Sequence, residues 1–462
     1  MFGTYLSLYN TILFPSQVMV ELKPFKATIL NPEIADRADL VCPVYDSIDT
    51  SQYEQYAARK NNVVHVTTRR EGVPESDFLD YATKNLERFF THRILIERAK
   101  PSFYIYGVRY QVSDEIMEQI PEKERRELYF TFGLVALVRV DKLNGDTILG
   151  HERTFEAKTR ERYHLMKACG MNFSPILAEY TMPDHTINRM FEDYLGFRRP
   201  SLKIDEQRKP LVDVVLQGTR HLLWELTDEE RIAQIQALMR DKKILILDGH
   251  HRYTAAYRLS SDAGEGVAYT LMTLVEGGDR ALLLLPWHRC VKRCHKEELW
   301  RRIRTHFNVE PYDRGTGNAR LYAKLNEHDA DDGFDVRFGM YDGERFYLLR
   351  GDEQRVRNLA KERGERVGLA VISLHEWLIE PTLIGNPEDV VFTASPRDAI
   401  EKVDSGAYQV AFFLKPLRIT DVKYKAEVEK KGLPQKSTLF LPKVAEGIVM
   451  WKWKSDRAPV NG

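Results

Sequence analysis

Ile244-Leu245-Ile246-Leu247 runs straight into Asp248-Gly249-His250-His251-Arg252, and Tyr253-Thr254-Ala255-Ala256-Tyr257-Arg258-Leu259 follows without a break. Four apolar residues closed by a glycine read as a buried strand, and the alanine-rich pattern behind them reads as a helix. A strand that ends in a glycine turn and feeds a helix collects free backbone N–H groups and a positive dipole end at one point, which suits a phosphate or a carboxylate. Ala255, Ala256 and Leu259 make the packing face of that helix, and Arg252 lies on the same face one turn earlier. An inward-facing arginine needs an anion. Either a ligand supplies it, or the turn is a helix cap with a buried ion pair.

The same design occurs upstream. Thr147-Ile148-Leu149-Gly150 leads into His151-Glu152-Arg153-Thr154, and the next helix carries Arg162, Leu165, Met166 and Cys169 on one face. A glutamate set against a phosphate pocket can act as a general base for a hydroxyl or water, or as a ligand for magnesium; the competing account is a solvated Glu–Arg pair at a loop. His250 and His251 are adjacent, so at most one is expected to face a ligand directly, where it would protonate a leaving oxygen or attack phosphorus. Pro434-Gln435-Lys436-Ser437-Thr438 offers a lysine and two hydroxyls for phosphate contact, or is simply a tight exposed turn. Trp287 to His295 contains two cysteines and two histidines, but their spacing follows no common closed zinc site and the segment alternates like a strand.

The bulk composition sets the frame. A chain of 462 residues implies two or three domains. With 68 basic and 68 acidic side chains, no global field favours nucleic acid or an anionic membrane. Four cysteines without paired spacing point to a reducing cytoplasm. Met1 to Val20 has neither a basic leader nor a cleavage site, so it is not read as a signal peptide, and Met19 is an alternative start. The longest later apolar run, Ala281 to Leu285, is far too short to span a bilayer.

Strand and helix patterns alternate, which gives a mixed α/β class. Phe103 to Tyr106 and Phe130 to Val140 read as strands, Asp77 to Arg93 and Asp228 to Arg240 as amphipathic helices. Ser113 to Arg126 reads as an exposed helical excursion and Asp193 to Pro210 as a basic, proline-bearing connection. The expected organisation is an N-terminal extension (1–21), an α/β core (22–295), an inserted or second α/β module (296–370) and a C-terminal segment (371–462) that returns to the core with the 434–438 turn.

Cys42-Pro43-Val44-Tyr45-Asp46, His151-Glu152-Arg153-Thr154, Asn172-Phe173-Ser174-Pro175-Ile176, Asp248 to Tyr253, His288-Arg289 and Pro434 to Thr438 occur in an order that resembles the bacterial and archaeal family called domain of unknown function 1015, from about Leu22 to Val449. The Asp248 to Arg252 turn also resembles the phosphate-binding turn of the ParB and sulfiredoxin superfamily, which includes free serine kinases. That second resemblance implies a ParB/sulfiredoxin-like compact core with additional α/β modules. It further implies Glu152 as base, Asp248 as a metal or hydroxyl contact, and His250, His251 and Arg252 as a phosphate shell, with phosphoserine as a candidate substrate. The turn holds histidine where sulfiredoxin chemistry needs cysteine, which argues against sulfinic-acid repair. Cys42 and Glu161 stand where the first family prefers proline and aspartate.

The expected function is therefore phosphoryl transfer on a small phosphorylated metabolite, as phosphoserine hydrolysis or a serine-kinase-type reaction. Asp248, Glu152, His250 and His251 are the expected catalytic residues; Gly249, Arg252, His151, Arg162, Lys436, Ser437 and Thr438 are expected to bind phosphate or substrate. Asp248 and Glu152 are the candidate ligands for magnesium. No Walker A sequence is present, so a nucleotide, if used, sits on the short turn. The alternatives are a nucleotide-binding ParB-like regulator, and a silent metabolite-binding protein in which Glu152 is dispensable.

Overall fold

The strand Ile244–Asp248 lies one place in from the edge of a nine-stranded mixed sheet in the computed structural model. The structure describes residues 19–199, 208–263, 267–325, 327, 336–362, 364, 369–430 and 432–453. Residues 1–18 of the expected N-terminal extension and 200–207 of the expected Asp193 to Pro210 connection lie outside the described residues. Across the sheet the strands run Ile148–Gly150, Ile244–Asp248, Ile176–Tyr180, Tyr269–Glu276, Tyr129–Arg139, Phe103–Tyr110, Thr219–Leu226 and Val212–Leu216, with Leu22–Lys23 added to Tyr129–Arg139. Both faces are covered, and this explains the unbroken apolar run. Ile244 and Ile246 enter one core with Trp224 and Met272, while Leu245 and Leu247 enter the opposite core with Leu149 and Leu177.

The helix Glu156–Cys169 follows the edge strand and the helix His250–Ala263 follows its neighbour, and the two pack together. Met166 meets Ala255, Ala256 and Leu259 between them, so the alanines permit a close approach. The amphipathic patterns yield the helices Glu75–Thr91 and Glu229–Met239. The Ser113 to Arg126 excursion is the helix Asp114–Gln119 with a 3₁₀ turn at Glu122–Glu124, each placed between the two long strands that flank it.

A second sheet has six strands, all antiparallel to their neighbours, in the order Phe307–Asp313, Arg345–Gly351, Arg337–Tyr341, Val410–Phe413, His288–Val291 and Val390–Thr393. It takes strands from both sides of the 296–370 stretch as well as from within it. The chain then returns to the side of the first sheet: Leu439–Leu441 pairs with Leu283–Leu285 as a separate two-stranded sheet, and Leu433 makes an isolated parallel bridge to Glu152. That return carries the 434–438 turn against residues 151–153. Among the described residues no helix is long and apolar enough to cross a membrane.

Candidate functional site

Because Ile148–Gly150 and Ile244–Asp248 run parallel, their C-terminal ends set His151-Glu152 and Asp248 side by side. The antiparallel neighbour Ile176–Tyr180 starts at the same edge and brings Ser174-Pro175 there. Gly249 makes the turn into the helix at φ +98°, and a Cβ on it would lie 2.8 Å from Arg252 Nη2. Only glycine meets both conditions.

Arg252 turns inward, as its helix face requires, and the anion it meets is Asp248. Nη2 donates to Asp248 Oδ2 at 2.8 Å, while Nη1 donates to Ser174 Oγ at 2.8 Å and to the Pro175 carbonyl at 2.7 Å. The other oxygen of Asp248 accepts from Lys443 Nζ. Burial alone would raise the Asp248 carboxyl, but Lys443, Arg252 and Lys436 together hold it well below the usual range. The buried-pair account of this arginine is thus the one realised in the fold.

Both histidines of the turn hold backbone. His250 Nε2 accepts from the N–H groups of His151 and Glu152 at 3.3 and 3.4 Å, and His251 Nε2 accepts from Phe155 N at 3.0 Å while its ring stacks on Phe155. A nitrogen that accepts is unprotonated, and burial keeps it so: His250 is pushed well below its ordinary value and His251 down to about 4. Their geometry organises the 151–155 loop.

Glu152 sits in a short proton chain. His151, fully buried and lowered by that burial to about 4, donates from Nδ1 to the Ile246 carbonyl at 3.0 Å, so its Nε2 accepts from the Thr438 hydroxyl 2.8 Å away. That hydroxyl is also 3.2 Å from Glu152 Oε1. The one hydroxyl proton is shared between these two acceptors. Burial raises the Glu152 carboxyl, with Lys436, Lys443 and the Thr438 hydroxyl opposing.

The 434–438 turn completes this cluster. Lys436, held at φ +55°, places Nζ over the Trp287 ring, 5.2 Å from its centroid. Ser437 Oγ donates within the turn to the Pro434 carbonyl at 2.6 Å. Arg289, fully buried on the second sheet, donates from Nη2 to the Lys436 carbonyl at 2.9 Å and from Nε to His375 at 3.2 Å. Burial lowers its pKa to about 9, and Glu152 is the charge that opposes this.

The structure therefore gathers His151, Glu152, Asp248, Gly249, His250, His251, Arg252, Lys436 and Thr438, with Ser437 turned into its own turn. Arg162 is engaged elsewhere: it donates to Glu161 at 2.6 Å and to the Thr67 carbonyl at 2.7 Å, and stacks on Tyr45. Lys443 was not singled out from the sequence, because nothing in its spacing after Lys436 marks it as the partner of a residue 195 positions away. Among the described residues no group of three or more His, Cys, Asp or Glu side chains is placed to hold a metal. In the 287–295 segment, His288 Nδ1 accepts from Leu414 N and Cys290 Sγ donates to the Ala399 carbonyl, so these side chains serve the second sheet.

A family model described as protein of unknown function (DUF1015) matches residues 22–368, a span that ends before the 434–438 turn. No curated protein matches the chain. Among solved structures, a mutant free serine kinase in complex with AMP is 11% identical with a TM-score of 0.34, the match covering 67% of this chain and 89% of that one. SbnI with a C-terminal truncation, from Staphylococcus aureus, is 13% identical with a TM-score of 0.34, covering 68% and 86%. A conserved hypothetical protein from Pyrococcus furiosus is 12% identical with a TM-score of 0.31, covering 64% and 88%.

Proposed function

The chain belongs to the DUF1015 family, and from that premise we propose that it is a phosphoryl-transfer enzyme acting on a small phosphorylated metabolite, with phosphoserine hydrolysis or transfer to serine as the reactions to test first. The observation that carries the reading is the burial of the Glu152 carboxyl beside Lys436, Lys443 and Thr438 at the mouth of the glycine turn. A carboxyl raised by burial is a stronger base than a solvated one, and two lysines with a helix N-terminus suit the oxygens of a phosphoryl group.

In transfer to serine, Glu152 accepts the hydroxyl proton as that oxygen attacks phosphorus, and the bond from phosphorus to the donor oxygen breaks. In hydrolysis the same carboxylate takes a proton from water as the water oxygen attacks phosphorus, the bond from phosphorus to the serine oxygen breaks, and that oxygen takes a proton from solvent. Lys436, Lys443 and the backbone N–H groups at the start of the helix meet the charge on the phosphoryl oxygens. His151 and Thr438 orient Glu152, while His250 and His251 hold its loop. Both Asp248 oxygens are engaged by cations, so a magnesium ion brought in with the substrate phosphate oxygens would have Glu152 as its one carboxylate contact, through the oxygen not used as base. Such an ion would neutralise phosphoryl charge.

Purified protein with magnesium should release phosphate from phosphoserine or move it from ATP to serine. Glu152→Gln should lower kcat by about 10²–10⁴-fold and leave ligand affinity within about twofold, as expected for loss of a general base. Full turnover in that variant removes Glu152 as base. Silence of the wild type in both assays and across a panel of phosphometabolites ends the enzyme reading.

A further inference from the structure

Of the cations gathered at the site, Arg252 and Lys443 share the Asp248 carboxylate, and Arg289 donates to two carbonyls and to His375. Lys436 differs. Among the described residues its ammonium has no carboxylate within ion-pair distance and no hydrogen-bond acceptor, and its contact is the face of the Trp287 ring, 5.2 Å from the centroid. Its charge is nonetheless the largest of those acting on the Glu152 carboxyl, ahead of Lys443. A mobile ammonium near a buried carboxylate gains by closing onto it, because their attraction strengthens as water is excluded. The ring is what competes for it.

That ring is firmly placed. Its Nε1 donates to the Thr438 carbonyl at 3.1 Å, and the backbone carbonyl of Trp287 accepts from Arg289 Nη1. Trp287 also lies between the strands Leu283–Leu285 and His288–Val291, which belong to different sheets. Lys436 is anchored as well, since its carbonyl accepts from Arg289 Nη2 at 2.9 Å. One guanidinium thus fixes the backbones of both partners, and the four-carbon stem of the lysine is what remains free to turn.

We propose that Trp287 is the positioning residue of the phosphate site: its π-face holds the Lys436 ammonium without neutralising it, keeping that charge open to an incoming phosphoryl oxygen and out of an ion pair with Glu152. A carboxylate in place of the ring would consume the charge, and an aliphatic side chain would give it no hold. An aromatic face does neither, because its attraction for a cation is weaker than that of a formal anion and yields to one. This role rests on the phosphoryl-transfer reading for the identity of the incoming anion; the hold on Lys436 and its effect on Glu152 are measurable without turnover.

Inorganic phosphate is the probe, on the full chain. Saturating phosphate should change the tryptophan emission of the wild type as Lys436 leaves the ring. Trp287→Phe should abolish that change yet bind phosphate within about threefold of wild type, because a phenyl face still holds an ammonium. Trp287→Leu should weaken phosphate at least about fivefold, and on a Lys436→Met background it should alter affinity by less than about twofold, as when one interaction is removed twice. The carboxyl signal that disappears in Glu152→Gln should titrate by NMR at a pH about one lower in Trp287→Leu than in wild type, since the ammonium then closes on it. The role is overturned by equal losses from Trp287→Leu in both lysine backgrounds, by Trp287→Phe binding as weakly as Trp287→Leu, or by an unmoved Glu152 titration in a folded Trp287→Leu. A wild type that does not bind phosphate, or binds it without an emission change that Trp287→Phe removes, overturns it equally. If Trp287→Leu does not fold, the emission change and its loss in Trp287→Phe decide. Phosphate binding coupled to Trp287 and Lys436, with no turnover of any phosphometabolite, would end the phosphoryl-transfer reading and keep this role; turnover abolished by Glu152→Gln, with Trp287→Leu and Lys436→Met acting independently, would do the reverse.

Discussion

At the scale of single residues, Asp248 shows how a charge in a site can be structural and chemical at once. Its carboxylate is the counter-ion of Arg252 and Lys443, and neither cation has another carboxylate in contact among the described residues. Asp248→Asn leaves both uncompensated in a partly dry place, and breaking a buried pair in this way costs about 3–5 kcal/mol. The pH dependence follows from the direction of its shift. The folded-state carboxyl is held below its unfolded value, so its stabilisation is fully present above an unfolded pKa of about 3.9 and is lost as pH falls through the lower folded value. Urea denaturation should show the same gap between wild type and Asp248→Asn at pH 7 and pH 5, closing only in stronger acid; a gap that closes between pH 7 and pH 5 would show that Asp248 is not held low. The sequence marked Asp248 and Arg252 as members of one turn. That they satisfy each other depended on side-chain directions that spacing alone left open.

At the scale of elements, the decisive unit is strand, glycine, helix. Its signal in the sequence was strong because three local preferences agree: a doubly buried strand, a residue with φ +98°, and a helix whose alanines face a neighbouring helix. Gly249→Ala places a methyl 2.8 Å from the Arg252 guanidinium on a backbone that L-residues rarely adopt. Strain of this kind costs about 1–3 kcal/mol, and displacing Arg252 also loosens Asp248. The variant should unfold at lower urea and bind inorganic phosphate more weakly than wild type. Wild-type behaviour on both counts would mean that the turn relaxes without consequence. The histidines were harder to read. Sequence gave them chemical roles because they sit in the turn, but their ring nitrogens accept N–H bonds from a loop about 100 residues earlier, a pairing set by the parallel register of the two strands.

At the scale of the whole molecule, the second sheet reaches into the site through Arg289. This guanidinium is fully buried, donates to the Lys436 and Trp287 carbonyls and to His375, and so fixes the turn that supplies Lys436 and Thr438. Arg289→Met removes a buried charge, which favours the fold, and leaves three acceptors without this donor at about 1–3 kcal/mol each where they stay dry. Stability should therefore change little while the turn is released. We expect kcat to fall at least about tenfold with the thermal midpoint held, and Arg289→Lys to recover little, because an ammonium lacks the planar fork. Unimpaired turnover in Arg289→Met would mean that the turn needs no support from the second sheet. The sequence by itself determined the α/β class, the two strand-to-helix turns, the long strands and amphipathic helices, and the residue types that gather at the site, because each is written in local periodicity and backbone preference. Only the tertiary structure decided that the 434–438 turn lies against Glu152, that Lys443 answers Asp248, that the Lys436 ammonium lies over Trp287, and that the histidines hold a loop. Those are contacts between segments up to several hundred residues apart, and what selects them is the burial of shared apolar faces and the satisfaction of buried charges in three dimensions, of which no short window of sequence carries a record.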